Sequence, residues 1–308
     1  MDTSFLEAII QDEFRLPAGS SLTSLTAQLA DGLGSPDSDL RENSLSILWE
    51  WIVLDRYTPA ELYALGEQMA ANLIVGTGES GTDSVFLRAF SALILQAVIE
   101  QDETYAAGNR SGKTPFLNEA DLQRWMQCAL NSLVAENDLR GFVAEKGWAH
   151  SIAHHADLFL CLGRSRFLGS ADLERLLDAI AARLTAPADS ILSYQEDERL
   201  ARAVLSILLR DLLDIAVLGR WLEKLVSPAD GAQWDNVHAN PALVNARYNT
   251  RAFLRSLYFQ LQIGMKVVRQ MPYYDRSPQI KDVLLKHIVQ ALKRMDNNHF
   301  YAQKEEAL

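Results

Sequence analysis

The chain has 308 residues, 48% hydrophobic and 22% charged, with a formal net charge of −11 and a pI near 5.1. This composition excludes global disorder, and the length is ample for a large core. An acidic chain opposes nucleic acid and anionic membranes, so the expected partner is a cationic or neutral protein, peptide or small polar ligand, with no nucleic acid and no membrane.

The N-terminal MDTSFLEAIIQDEF is acidic and lacks a basic region before its apolar run, so it is not read as a signal peptide. Ser35-Pro36 opens the first clear helix, whose apolar face is Leu40, Leu45, Ile47, Leu48, Trp51 and Ile52. Thr58-Pro59-Ala60-Glu61 is a capping box that starts a helix running to Val75 and stopping at Gly76-Thr77-Gly78. The next helix is expected from Asp83 to Gln101. Its apolar run, Ala89–Ile99, is interrupted by Ser91 and Gln96 and falls short of the ~20 residues needed to cross a bilayer. Residues 102–115 read as a mobile loop. Its Gly108-Asn109-Arg110-Ser111-Gly112-Lys113 lacks the spacing of a phosphate-binding loop and has no strand before it.

Asn118 caps a helix to Glu136, and a further helix is expected over Glu145–Leu162. Ser170 caps one that ends near Leu184, before Pro187. Glu196–Asp211 and Ile215–Val226 follow. A loop, Ser227–Asn240, leads to a long helix, Pro241–Val268. A turn with two aromatics, Met271-Pro272-Tyr273-Tyr274, comes next, and Ser277-Pro278 caps a last helix to Met295. Trp49, Trp51, Trp125, Trp221, Tyr258 and Phe259 fall at helical spacing among aliphatics and read as core.

The helices pair. The second member of each pair starts near Asp37, Asp83, Lys146, Gln195 and Leu243, intervals of about 45 to 65 residues. Asp39-Leu40-Arg41, Asp83…Arg88 and Asp197-Glu198-Arg199 each place an acid and then an arginine in the first turns. The expected fold is all-α: a HEAT/armadillo-like α-solenoid of paired antiparallel helices, about eleven or twelve in one domain over 1–308. Cys128 and Cys161 lie within helical patterns and form no disulfide framework. They fit a reducing compartment and a cytoplasmic location.

Chemistry concentrates in Gly147–Leu158, GWAHSIAHHADL. On one continuous helix His150, His154, Asp157 and Cys161 project within roughly 60° of each other. Trp148, Ile152, His155, Phe159 and Leu162 project oppositely, as core. The His–His–Asp stripe replaces the lysines and glutamates of an ordinary solvent face and suits a groove. His150/His154 and His154/Asp157 have the spacing of two metal ligands on one helix, so a divalent metal is the cofactor this stripe would take. His150 and Asp157 are about 10 Å apart along the axis, so another helix would have to complete the set, with Asp197, Glu198 and Asp235 as candidates. Cys161, near a helix C-terminus, reads as a packed thiol.

The stretch resembles the GWAH-x-x-AH-x-ADL signature of a bacterial family known only as a domain of unknown function. The resemblance extends to Glu196-Asp197-Glu198-Arg199-Leu200-Ala201-Arg202 and to Arg251–Leu261, and so covers the chain from about Asp37 onward. It implies no activity, substrate or cofactor. Arg199, Arg202, Arg247, Asn249 and Arg251 would extend the groove with a polar patch suited to a carboxylate or phosphate. The expected ligand groove is therefore His150, His154, Asp157, Asp197, Arg199, Arg202, Arg247, Asn249 and Arg251. The leading functional expectation is a cytoplasmic binding or scaffold protein. The second is a metal-dependent hydrolase or oxygenase with His150, His154 and Asp157 as ligands, for which the sequence supplies no complete set of ligands plus base.

Overall fold

Side-chain caps set where most helices begin. In the computed structural model, which describes residues 2–227, 234–264, 277–296 and 301, Asp2 accepts from the Ser4 amide at the start of α1 (Thr3–Gln11). Ser21 does the same for α2 (Leu22–Gly32) and Asp37 for α3 (Ser38–Val53). The expected Thr58–Glu61 capping box is formed and opens α4 (Pro59–Asn72). Asn118 and Asp121 form another before α6 (Glu119–Ala135). Between these lies α5 (Ser84–Ala106). After them come β1 (Phe142–Val143) and β2 (Gly147–Trp148), an antiparallel pair, then α7 (Ser151–Arg164). The chain continues with α8 (Ser170–Thr185), α9 (Glu196–Leu208), α10 (Ile215–Leu225), a 3₁₀ turn at Trp234–Ala239, α11 (Pro241–Ile263) and α12 (Lys281–Asp296). The fold is all-α, as its periodicity and caps imply.

The described chain forms two compact units, Met1–Phe167 and Leu168–Leu308. In the first, α3 packs on α5 and α5 on α7, while α4 packs on α5 and α6 and α6 packs on α7. Flanked by α3, α4 and α7, α5 is buried almost all round, which is why it is apolar on every side. By length and composition α5 is long enough to cross a membrane, more than its central apolar run suggests, yet 72% of that window is buried in the protein. Trp51, Phe86, Phe90, Trp125 and Phe159 form the bulk of this core. In the second unit α8 packs on α10 and α10 on α12, while α9 packs on α11, around Trp221, Phe253 and Leu257. The Trp51 and Trp221 indoles donate to the Phe14 and Leu177 carbonyls, at 2.8 Å each.

Several boundaries differ from expectation. The segment 102–115 begins as the last turn of α5, and Asp102, buried at its start, accepts from the Phe116 and Leu117 amides and from Arg166. Gly169, not Ser170, sits at the cap of α8, and the last helix starts at Lys281, four residues after the expected Ser277 cap. Gly264, at φ 87°, ends α11, and 265–268 of the expected longer helix lie outside the described residues. So does the Met271–Tyr274 turn. Phe259, read as core, is exposed, because it projects from the side of α11 opposite Phe253 and Leu257.

Candidate functional site

The largest departure concerns the GWAHSIAHHADL stretch. The helix expected from Glu145 begins only at Ser151, because Glu145, Gly147 and His150 all have positive φ (64°, 77° and 53°). The backbone between them is extended: Phe142 pairs with Trp148 and Val143 with Gly147. The Ala149 and His150 amides donate to the Gly141 and Arg140 carbonyls at 2.8 and 3.2 Å. A Cβ at Gly147 would stand 3.0 Å from Ser38 Cβ and 3.2 Å from an Arg41 nitrogen, so the close approach of α3 requires glycine there. Arg41, fully buried, donates to the Lys146 and Trp148 carbonyls at 2.6 and 3.3 Å and lies over the Phe86 and Phe90 rings. The Lys146 ammonium reaches the Asp83 carboxylate at 2.6 and 2.8 Å. The hairpin is thus tied to both α3 and α5.

Trp148 therefore lies on a strand, is 39% exposed, and is not part of the core it was expected to join. It starts a line of rings leading inward. Phe142, 54% exposed, meets Trp148 edge-to-face at 5.2 Å, and Trp148 stacks on His150 at 4.4 Å with 25° between planes. His150 meets His154 at 5.9 Å, and His154 meets Phe90 at 5.3 Å, both edge-to-face. His154 is 7% exposed and Phe90 1%. His150 holds a left-handed backbone at the cap of α7, a conformation uncommon outside glycine but more frequent for histidine than for most side chains.

The stripe does not face outward. Helix α7 is buried nearly all round by α5 and α6, and only Asp157 and Arg164 are partly exposed. Cys161 is buried with its sulfur 3.9 Å from the Gln96 carbonyl oxygen, and burial pushes its thiol well above the usual range, so it is a packed thiol as expected. Among the described residues no group of three or more His, Cys, Asp or Glu side chains is arranged to hold a metal.

On the other side of α7 lies a polar network with no simple sequence signature. Arg88 and Glu136, both fully buried, pair at 2.9 and 2.8 Å, and Ser151 Oγ donates to Glu136 at 2.7 Å. His155, fully buried on the side expected, has Nδ1 2.8 Å from the Ser151 carbonyl oxygen and Nε2 2.8 Å from Ser132 Oγ. Burial lowers its pKa from 6.5, an effect partly opposed by the Glu136 charge.

The remaining expected groove residues lie in the second unit. Ser256 donates to Asp197 at 2.6 Å between α11 and α9. Arg247 donates to the Met295 carbonyl, and Arg251 pairs with Asp296 at 3.2 Å, so both tie α11 to the end of α12. Buried Asn249 accepts from the Leu192 amide and donates to the Ser190 carbonyl, holding the segment before α9. Arg199 and Arg202 are partly exposed on α9, Glu198 is exposed there, and Asp235 lies in the 3₁₀ turn with its side chain outside the described residues. The structure brings His150 and His154 together with Trp148, Phe142 and Phe90, the last two not anticipated from sequence. A cleft of about 470 Å³ at the start of α5, lined by Asp31, Ser35, Gln68, Asn72, Asp83 and Leu87 among others, was also not anticipated.

A family model described as "Protein of unknown function (DUF2785)" matches residues 73–259, well over half of the chain and including the whole of 147–158. No curated protein and no solved structure matches the chain.

Proposed function

We propose, for a chain that belongs to the DUF2785 family of proteins of unknown function, a binding role: the β1–β2 hairpin and the first turn of α7 contact a peptide, protein or small polar ligand that carries a cationic group. The observation that carries this reading is Trp148, 39% exposed on a strand whose backbone is pinned by buried Arg41. A large aromatic ring held rigidly at the surface, with exposed Phe142 beside it, is a preorganised contact for a cation or a flat polar group. The net charge of −11 and Asp31 in the cleft at the start of α5 favour the same sign of ligand. His150, stacked on Trp148, adds a titratable ring to the contact.

Stacking of alternate helices within each unit, α3 on α5 on α7 and α8 on α10 on α12, supports a short α-solenoid of HEAT type acting as a scaffold for that contact. The reading places the protein in the cytoplasm, in keeping with two free cysteines.

The test is a thermal-shift comparison of wild type with Trp148→Ala, using tetralysine, choline, Zn²⁺ and Mn²⁺ as probes. A cationic probe should raise the wild-type melting temperature and leave Trp148→Ala unmoved. Equal shifts in both proteins would remove Trp148 from the contact. A metal shift lost in His154→Ala would favour a metal site instead.

A further inference from the structure

Helix α11 carries apolar side chains on two opposite sides. Leu243, Phe253, Leu257 and Leu261 are buried in the second unit, whereas Val244, Tyr248, Phe259 and Ile263 are exposed. At 100° per residue the exposed four fall within roughly 100° of one another. Where this stripe meets α12 there is a pocket of about 300 Å³, walled by Tyr258, Phe259, Val289, Leu292 and Tyr301 and rimmed by Arg255 and Lys293.

Among the described residues the polar side chains that line the pocket are Arg255, Tyr258, Lys293 and Tyr301. Arg255 donates through Nε at 3.1 Å and Nη2 at 2.8 Å to the Tyr301 phenol oxygen, which thereby accepts two hydrogen bonds and keeps its own O–H to donate. Neighbouring cations are compensated, Arg251 by Asp296 and Arg294 by Glu223, but among the described residues neither Arg255 nor Lys293 has an ion pair. Among the described residues no acidic side chain lines the pocket, although the chain as a whole carries a charge of −11.

We propose that this pocket binds a small aryl carboxylate. Three aromatic walls suit a flat ring in offset or edge-to-face contact. Arg255, Lys293 and Tyr301 line the pocket, and charge-assisted donors of this kind would hold the carboxylate at its mouth while the ring fills the apolar slot. The volume matches one small ligand in an apolar slot with few polar groups, and is too small for a partner's helix about 10 Å across. The site lies within the second unit, independent of Trp148 in the first.

The experiment is isothermal titration of the full chain with 1-naphthoate, 1-naphthalenemethanol and decanoate. Saturable one-site binding of 1-naphthoate is expected, weakened at least about tenfold in the uncharged alcohol and in Arg255→Gln/Lys293→Gln. Trp148→Ala should bind 1-naphthoate as wild type does. The ligand series on wild type keeps the test independent of how any variant folds. Absence of saturable binding, equal affinity for the alcohol, or tighter binding of decanoate would each overturn the proposal. A wild-type dimer in sedimentation that ignores 1-naphthoate and dissociates in Phe259→Ala would assign the pocket to a second copy, and would overturn it too.

Discussion

Arg88 and Glu136 face each other as a bidentate ion pair with both side chains wholly excluded from solvent. The third guanidinium nitrogen of Arg88 donates to the Val75 and Gly76 carbonyls and to Ser84 Oγ, at 2.8 to 3.0 Å. Glu136 also accepts from Ser151 Oγ and the Asp138 amide. One pair therefore fixes the turn after α4, the start of α5, the end of α6 and the start of α7. The charges are tolerated in the interior because nearly every donor and acceptor is used.

Removing one partner should leave the other as a buried, uncompensated charge. Glu136→Gln or Arg88→Met is expected to lose about 3–5 kcal/mol in urea unfolding. Arg88→Met/Glu136→Met should cost clearly less than the sum of the single changes Arg88→Met and Glu136→Met. Additive losses would show that the two residues act separately.

Trp148 and Trp51 should behave oppositely. Trp51 is fully buried, so Trp51→Ala should cost about 3–5 kcal/mol. Trp148 is exposed on a hairpin, so Trp148→Ala should cost about 1 kcal/mol or less, mainly lost ring contacts with Phe142 and His150. Chemical denaturation of the two variants side by side checks the contrast.

His155 makes stability sensitive to acid. Burial lowers its folded pKa below 6.5, so the ring stays neutral in the folded state while the unfolded chain takes up a proton as pH falls through 6.5. The contribution is complete above that value and declines below it, by at most about 1.4 kcal/mol per pH unit. Half-buried Glu100, whose pKa is raised by desolvation, works in the opposite sense, losing stability as pH rises through its carboxylate range. Comparing wild type with His155→Gln between about pH 7.5 and 5.5 cancels that shared slope. The melting temperature of wild type should fall more steeply toward pH 5.5 than that of the variant.

Gly147→Ala should destabilise by about 1–3 kcal/mol, through a left-handed backbone and a new Cβ pressed against Ser38 and Arg41. Because the displaced strand carries Trp148, the variant should also lose the ligand contact proposed for the hairpin. A thermal melt combined with the cationic-probe titration reads both effects.

Most helices from α3 onward, though not α1 and α2, were legible in the sequence because the forces that start and stop them act within a few residues. The Thr58–Glu61 and Asn118 caps, the turn around Gly76 and the apolar spacing of α3 and α11 needed no partner from afar. The burial of His155 on the same side as Ile152 and Phe159 was legible for the same reason. What lies in front of α7 was not. Whether Gly147 continues a helix or turns a hairpin is settled by Arg41, 105 residues from the Lys146 carbonyl it binds, and by the space α3 leaves beside it. That one contact moves Trp148 from the core to the surface and turns it against His150. The burial of His154 was decided in the same way, by Phe90 on α5. Local chemistry chose the elements. Packing between residues far apart in the chain chose which of their faces meet water, because burial depends on the neighbour that arrives and not on the residue alone.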